Sequence, residues 1–155
     1  MWTDERGSEV LEPAECRRLL AIGAKEHRHG HVAANGGAAP FVLPVDYSMH
    51  DSDIILRVGQ GLFSGLVDRL VAFEVDGTLA KRGLQGVESV CEWSVMAQGL
   101  ATEVDRGVVG GHTPRPRVAD PGNRWIRIRT DVLSGRRLTG PEGSPPAPGG
   151  GSSPA

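Results

Sequence analysis

Polar and apolar residues first fall into a helical rhythm near the start of the chain. Leu11, Cys16, Leu19 and Leu20 share one face, Pro13 suits a first helical turn, and Gly23 stands where such a helix can stop. From residue 31 the period drops to two. Residues 31–34 read as a first strand, ended by Asn35, Gly36 and Gly37, which supply the positive backbone angles of a hairpin turn. A second strand covers 39–48, with Phe41, Leu43, Val45 and Tyr47 on one face and Val42, Pro44, Asp46 and Ser48 on the other. Pro44 has no N–H to give to a ladder, so the strand is expected at an edge or bulge there.

The polar residues 50–53 form a turn into a third strand, 54–58, which leads to Gly59, Gln60, Gly61 and a helical turn over 62–66. In the fourth strand Val71, Phe73 and Val75 alternate with the outward Glu74 and Asp76. Residues 77–90 carry glycines and no periodicity, and are expected to be a surface loop or poorly ordered. A fifth strand runs from about 92 to 104, and Gly99 inside it marks a bulge or a packed-over position. After a Gly-, Pro- and Arg-rich connection over 105–123, a sixth strand sets Ile126, Ile128, Thr130 and Val132 against Trp125, Arg127, Arg129 and Asp131. One face is core and the other is wet or at an interface.

Five or six closely spaced strands after one helix predict a mainly β fold, closed into an antiparallel barrel because an open sheet would leave long edges unpaired. Past residue 137 Gly, Pro and Ser dominate, with too little apolar surface to offset the entropy of ordering. The expected organisation is a flexible N-terminus over 1–10, one domain over 11–137 and a disordered tail over 138–155.

Composition narrows the function. A chain of 155 residues with 39% hydrophobic content fits one ordinary globular domain, and a formal charge of −2 gives a polyanion no reason to bind. No nucleic-acid partner is expected. No apolar run nears the roughly 18 residues of a membrane span, and no leader-like segment opens the chain, so a cytoplasmic protein without a membrane partner is expected. Cys16 and Cys91 are too few and too far apart for a metal knuckle or a disulfide framework. His27, His29 and His31 alternate and would share one face of an extended segment, but no carboxylate or thiol completes a site beside them, and no metal is expected. The sequence holds no nucleophile–base pairing, phosphate loop or metal box. If the chain is an enzyme, a cofactor carries the reaction.

Four phrases in order, residues 40–47, 54–57 with Gly61, 71–76, and 93–95 leading to Gly99, are followed by 125–129 with Gly135, Arg136 and Arg137. Together they resemble the pyridoxamine 5'-phosphate oxidase-like flavin-binding proteins, from about residue 11 to 137. The resemblance implies a six-stranded antiparallel split β-barrel with a short N-terminal helix, a homodimer, and two FMN sites at the subunit interface. It also implies oxidoreductase activity on a small-molecule substrate. Relatives use a deazaflavin, so deazaflavin F420 is an alternative cofactor, and a member that has lost its cofactor would be a binding module without turnover.

The family holds the flavin phosphate with an arginine on the third strand and with a Thr or Ser and a Lys in the loop that follows. By position Arg57 matches the arginine. Val58 stands where Thr is common, and Leu62 and Phe63 where Thr-Lys is common, in a loop about one residue shorter. Ser64 and Arg69 are candidate substitutes. Gly59 and Gly61 can offer backbone N–H groups to an anion, Gln98 can meet the flavin edge, and Trp125 can stack near a planar ring. Core or dimer-interface packing is the default for Trp93 and Trp125 alike, and stacking near a planar ring is the alternative for both. Arg127, Arg129, Arg136 and Arg137 either reach the neighbouring subunit's site or form a solvated basic edge.

Overall fold

The computed structural model describes residues 2–3, 8–110, 114 and 123–139, with 2–3, 81–82, 87–89 and 139 described by backbone alone. The expected tail beyond 139 and most of the 111–122 connection lie outside the described residues.

Two short strands, β1 (Trp2–Thr3) and β2 (Glu9–Val10), precede helix α1 (Pro13–Lys25). Pro13 sits in the first turn, where its missing N–H costs nothing, and Cys16, Leu19, Leu20 and Gly23 are buried. Gly23 is not the stop the sequence suggested. The helix runs past it, and its lack of a side chain admits Tyr47, whose hydroxyl oxygen a Cβ would approach within 3.0 Å. The Tyr47 hydroxyl donates to the Leu20 carbonyl at 2.7 Å, and burial pushes its pKa up, so it stays a donor. Tyr47→Phe is expected to lower stability by about 0.5–1.5 kcal/mol in a urea melt, the usual net value of one such bond.

Strands β3 (His29–Asn35) and β4 (Pro40–His50) form the first hairpin, with Asn35 opposite Pro40 and Gly37 at φ +86° in the turn. Pro44 pairs with β3 on one side and with no strand on the other among the described residues. It is the edge position its missing N–H requires. Val45 and Tyr47 are buried as the alternation predicts, whereas Leu43, in the same unpartnered stretch, is exposed. Asp51 and Ser52, both at positive φ, turn the chain into β5 (Asp53–Val58), which helix α2 (Gln60–Leu66) follows.

Strands β6 (Arg69–Gly83) and β7 (Gly86–Glu103) then pair from Arg69 opposite Ala101 to Gly83 opposite Gly86. The loop expected over 77–90 is therefore the outer half of a long hairpin. Its strands leave alternation behind because toward the tip Leu84 and Val90 are exposed and no core dictates a period. A short helix, α3 (Arg106–Val109), comes before β8 (Arg124–Ile128) and β9 (Val132–Thr139). Strands β7, β6, β3, β4, β5 and β8 pair in that order, and β8 returns to β7, which closes a six-stranded antiparallel barrel.

The single sixth strand expected over 125–132 is two strands. Ile128 lies opposite Ala101 and Val132 opposite Gln98, so three residues of one edge face two of the other. That one-residue slip reverses the faces. Ile126, Ile128 and Thr130 are buried, but Val132 is exposed and Gly135 takes the inward place. The slip occurs where Gly99 lets the Arg129 backbone approach, so Gly99 is the packed-over position. Phe73, Leu19, Leu20, Leu56, Ile126 and Ile128 fill the core.

Glu15 fastens α1 to β9. It accepts two 2.7 Å hydrogen bonds from Arg18 and pairs with Arg137, which also reaches Glu9 at 3.2 Å. The Arg18 hydrogen bonds, with help from Arg137, hold the Glu15 carboxyl down at about 2. A depressed carboxylate stabilises the fold above its unfolded pKa and loses that contribution as pH falls through the folded one. Melting temperatures from pH 5 to pH 2 are expected to fall less steeply in Glu15→Gln than in the parent.

Candidate cofactor site

Strand β5 lifts Arg57 out of the core between buried Leu56 and Val58, and its pairing with β8 sets Arg57 opposite Trp125 and Val58 opposite Arg124. The Arg57 guanidinium lies 5.2 Å from the centre of the Trp125 ring, and Arg106, from α3, lies 5.7 Å from the same ring. Both are within cation–π range. The Arg57 Nε and the Trp125 Nε1 are buried without a hydrogen-bond partner among the described residues. Each such donor costs about 1–3 kcal/mol while it is unmatched.

Gly59 caps α2 with no side chain, and a Cβ at Gly61 would meet nothing within 4 Å, so the backbone there is open to approach. Leu62 is half-buried, while Phe63 turns into the core and presents one ring face to Arg124, whose guanidinium lies 3.9 Å from the ring centre. Arg124 donates to Glu103 at 2.6 and 2.9 Å and to Gln60 at 3.4 Å. Beside these groups opens a cleft of about 550 Å³, lined by Glu103, Asp105, Arg106, Asn123, Arg124 and Trp125.

Seven of the positions singled out in the sequence, Arg57, Val58, Gly59, Gly61, Leu62, Phe63 and Trp125, thus meet where β5, α2 and β8 come together. Gln98 does not join them through the sheet. It is exposed on β7 between Ala72 and Val132, whereas β7 meets β8 only at Ala101–Glu103. Of the candidate substitutes, Ser64 spends its hydroxyl on the Gln60 carbonyl at 3.0 Å, and Arg69 donates to the Asn35 carbonyl at 2.9 Å. Arg106 and Arg124 escaped the sequence reading, because only barrel closure brings the segment around 124 against α2.

Trp93 is buried, as expected of a packing residue, with Arg28 6.0 Å from its ring; it forms the floor of a second cleft of about 430 Å³. The histidines are separately engaged. His29 lies 2.5 Å from an Asp46 oxygen, His31 lies 3.5 Å from a Glu74 oxygen, and His27 occupies a left-handed turn. Among the described residues no group of three or more His, Cys, Asp or Glu is placed to hold a metal ion. Arg127 faces Asp53 at 3.7 Å, Arg129 faces Asp131 at 3.3 Å, and Arg136 donates to Ser8 at 3.2 Å, so each has a partner within the chain. No helix of the described residues is long and apolar enough to cross a membrane.

A closed six-stranded barrel with an N-terminal helix and this arginine-lined mouth defines a split-barrel protein. The family model for pyridoxamine 5'-phosphate oxidase matches residues 12–137, and the chain belongs to that family. Among solved structures, the FAD binding protein from Mycobacterium smegmatis is similar with a TM-score of 0.60 at 20% identity, over 84% of this chain and 99% of that one. An FAD-binding protein from Mesorhizobium loti gives 0.59 at 20% identity, over 84% and 98%. The FAD and heme binding protein from M. smegmatis gives 0.54 at 12% identity, over 88% and 90%. No curated protein sequence matches this chain. At these identities the structural likeness speaks for the fold.

The residues present suit a phosphate-bearing flavin in their donors and only in part in their identities. Arg57 and Arg106 lie against the Trp125 ring, where the Arg57 Nε and the Trp125 Nε1 are unmatched, and Arg124 lies against the Phe63 ring one step along the β5–β8 pair. Val58 and Phe63, at 4% and 6% exposure, belong to the core and bring neither hydroxyl nor ammonium to the mouth.

Proposed function

We propose that the chain binds a flavin at the Arg57–Trp125 end of the barrel, FMN foremost, and uses it for a redox step on a small molecule in the cytoplasm. The carrying observation is Arg57, a half-buried guanidinium propped on an indole face with its Nε unmatched. Fixing a planar fork before the ligand arrives lowers the entropy lost on phosphate binding. FAD, the cofactor named for the M. smegmatis and M. loti structures, also carries a phosphate next to the ribityl chain, there as part of a diphosphate. A bound flavin supplies reversible electron or hydride transfer, and the chain supplies position. Arg57 takes the phosphate, Gly59 and Gly61 permit close backbone approach, Leu62 and Phe63 wall the site, and Trp125 holds Arg57; Gln98, away from this end of its own barrel, can reach a flavin edge only from a second copy of the chain.

Arg57→Gln is expected to weaken FMN binding by about 10- to 150-fold, the equivalent of one charged hydrogen bond. Fluorescence titration reads this directly. An unchanged affinity in a variant of parental melting temperature would contradict the assignment.

A second copy of the chain is the partner this reading requires. The outward face aligns Val42, Ala33, Ala72, Gln98 and Val132 across β4, β3, β6, β7 and β9, with Leu70 paired to Leu100 beside them. Leu70 at 79% and Val132 at 56% exposure give this face the apolar character of an isologous interface. Light scattering is expected to give a dimer that Val132→Glu dissociates, and a monomeric parent would count against it.

The burial of Val58 and Phe63 favours a second reading, a binding module without turnover. Titration with FMN, FAD and a deazaflavin, followed by reduction of the bound cofactor with nicotinamide dinucleotides, separates the readings. Binding without reduction or turnover selects the module, and preference for the deazaflavin selects a deazaflavin-dependent reductase.

A further inference from the structure

We infer that Arg124 is the second cation of the phosphate site, taking the role that Phe63 has vacated, and that Glu103 is the counter-ion a bound phosphate displaces. The inference rests on the flavin reading above. Position 63 is where the sequence departs most sharply from the family pattern, since a buried aromatic ring cannot offer an ammonium group. The structure nevertheless sets a positive charge there from another strand. The Arg124 guanidinium lies 3.9 Å from the centre of the Phe63 ring. It reaches that place because β5 and β8 pair with Val58 opposite Arg124 and Arg57 opposite Trp125, so Arg124 leaves the sheet on the Val58 side and Arg57 on the Trp125 side, and a ligand meets both only past the strand ends, where Arg124 and Trp125 line one cleft.

Phe63 acts as a platform in this arrangement. Its ring covers one face of the guanidinium, and the Glu103 carboxylate, at 2.6 and 2.9 Å, fixes the orientation. The Arg124 side chain remains 37% exposed, and Glu103, Arg124 and Trp125 line the same cleft of about 550 Å³. In that lining the Trp125 Nε1 is buried without a partner among the described residues. A wall with an unmatched N–H donor, an oriented guanidinium and a replaceable carboxylate is suited to receive a phosphate by exchange. Phosphate offers more acceptor oxygens than the carboxylate and binds the planar fork in the same bidentate manner. Arg106, on the Trp125 ring in the same cleft, adds a positive charge, and Asp105 in the same lining adds a negative one.

If the Arg124–Glu103 pair were only a brace between β8 and β7, removing either partner would have similar consequences. The exchange gives them opposite signs. FMN and riboflavin, which differ by the phosphate, are titrated into the parent, Arg124→Gln, Arg124→Lys and Glu103→Gln, with melting temperatures measured alongside. Arg124→Gln is expected to weaken FMN about 10-fold or more while leaving riboflavin unchanged, Arg124→Lys to recover part of the loss, and Glu103→Gln to tighten FMN several-fold. FMN and riboflavin weakening alike in Arg124→Gln, or Glu103→Gln and Arg124→Gln shifting FMN in the same direction, overturns the inference. A parent that binds both flavins equally leaves the flavin reading standing and overturns the role of Arg124. A parent that binds neither removes the flavin reading, and calorimetry with pyrophosphate then decides. Binding by the parent that Arg124→Gln abolishes supports the anion site, and no binding overturns it.

Discussion

Gly99→Val is expected to cost the barrel more than about 4 kcal/mol and to lower its melting temperature by about 10 °C or more. Valine is the better strand former, and at an ordinary exposed strand position it would stabilise by up to about 1 kcal/mol. Here the sign reverses because a Cβ at residue 99 falls inside 3.0 Å of the Arg129 carbonyl oxygen, a backbone atom that no rotamer change can move away. The Arg129 N–H donates to the Leu100 carbonyl at 3.2 Å, so the two chains are already drawn together at this point. It is also where β7 passes from β8 to β9 with a slip of one residue. Forcing the chains apart there opens the barrel at its closure. A urea melt that places Gly99→Val within about 1 kcal/mol of the parent would contradict this account of closure.

Phe73→Ala is expected to cost about 3–5 kcal/mol, the usual range for removing a fully buried aromatic ring. The ring meets Tyr47 edge to face, with centroids 4.8 Å apart and an interplanar angle of 62°. Its far edge presses on Gly30, where a Cβ would come within 3.0 Å of the ring. That contact makes a second, sharper expectation. Gly30→Ala alone should destabilise strongly, yet in the Phe73→Ala background the methyl enters space the ring has left, so the two losses should fall well short of adding. Additive costs in the double variant would show that the Gly30–Phe73 approach does not govern packing between β3 and β6.

The same residues explain what was legible in the sequence. Val71, Phe73 and Val75 announce their strand because one face is buried and the other is wet, which leaves a period of two in the composition. Beyond Gly77 the hairpin carries no such record, since its tip exposes Leu84 and Val90 alike. Residues 124–139 misled in the opposite way. Their alternation looks unbroken through Val132, but the slip at residues 129–131 is imposed by Gly99 from a different strand. The candidate site divides along the same line. Arg57 and its glycines follow one another in sequence and are legible there, whereas Arg106 and Arg124 depend on a pairing made only when the barrel closes.

The most direct test of the central claim is a titration of the purified full chain with FMN, followed by flavin absorbance and fluorescence. Saturable binding is expected with a dissociation constant below about 0.1 mM, a binding free energy stronger than about −5.5 kcal/mol, and that affinity is expected to be lost in Arg57→Gln. No saturable binding of FMN, FAD or a deazaflavin up to that concentration would contradict it.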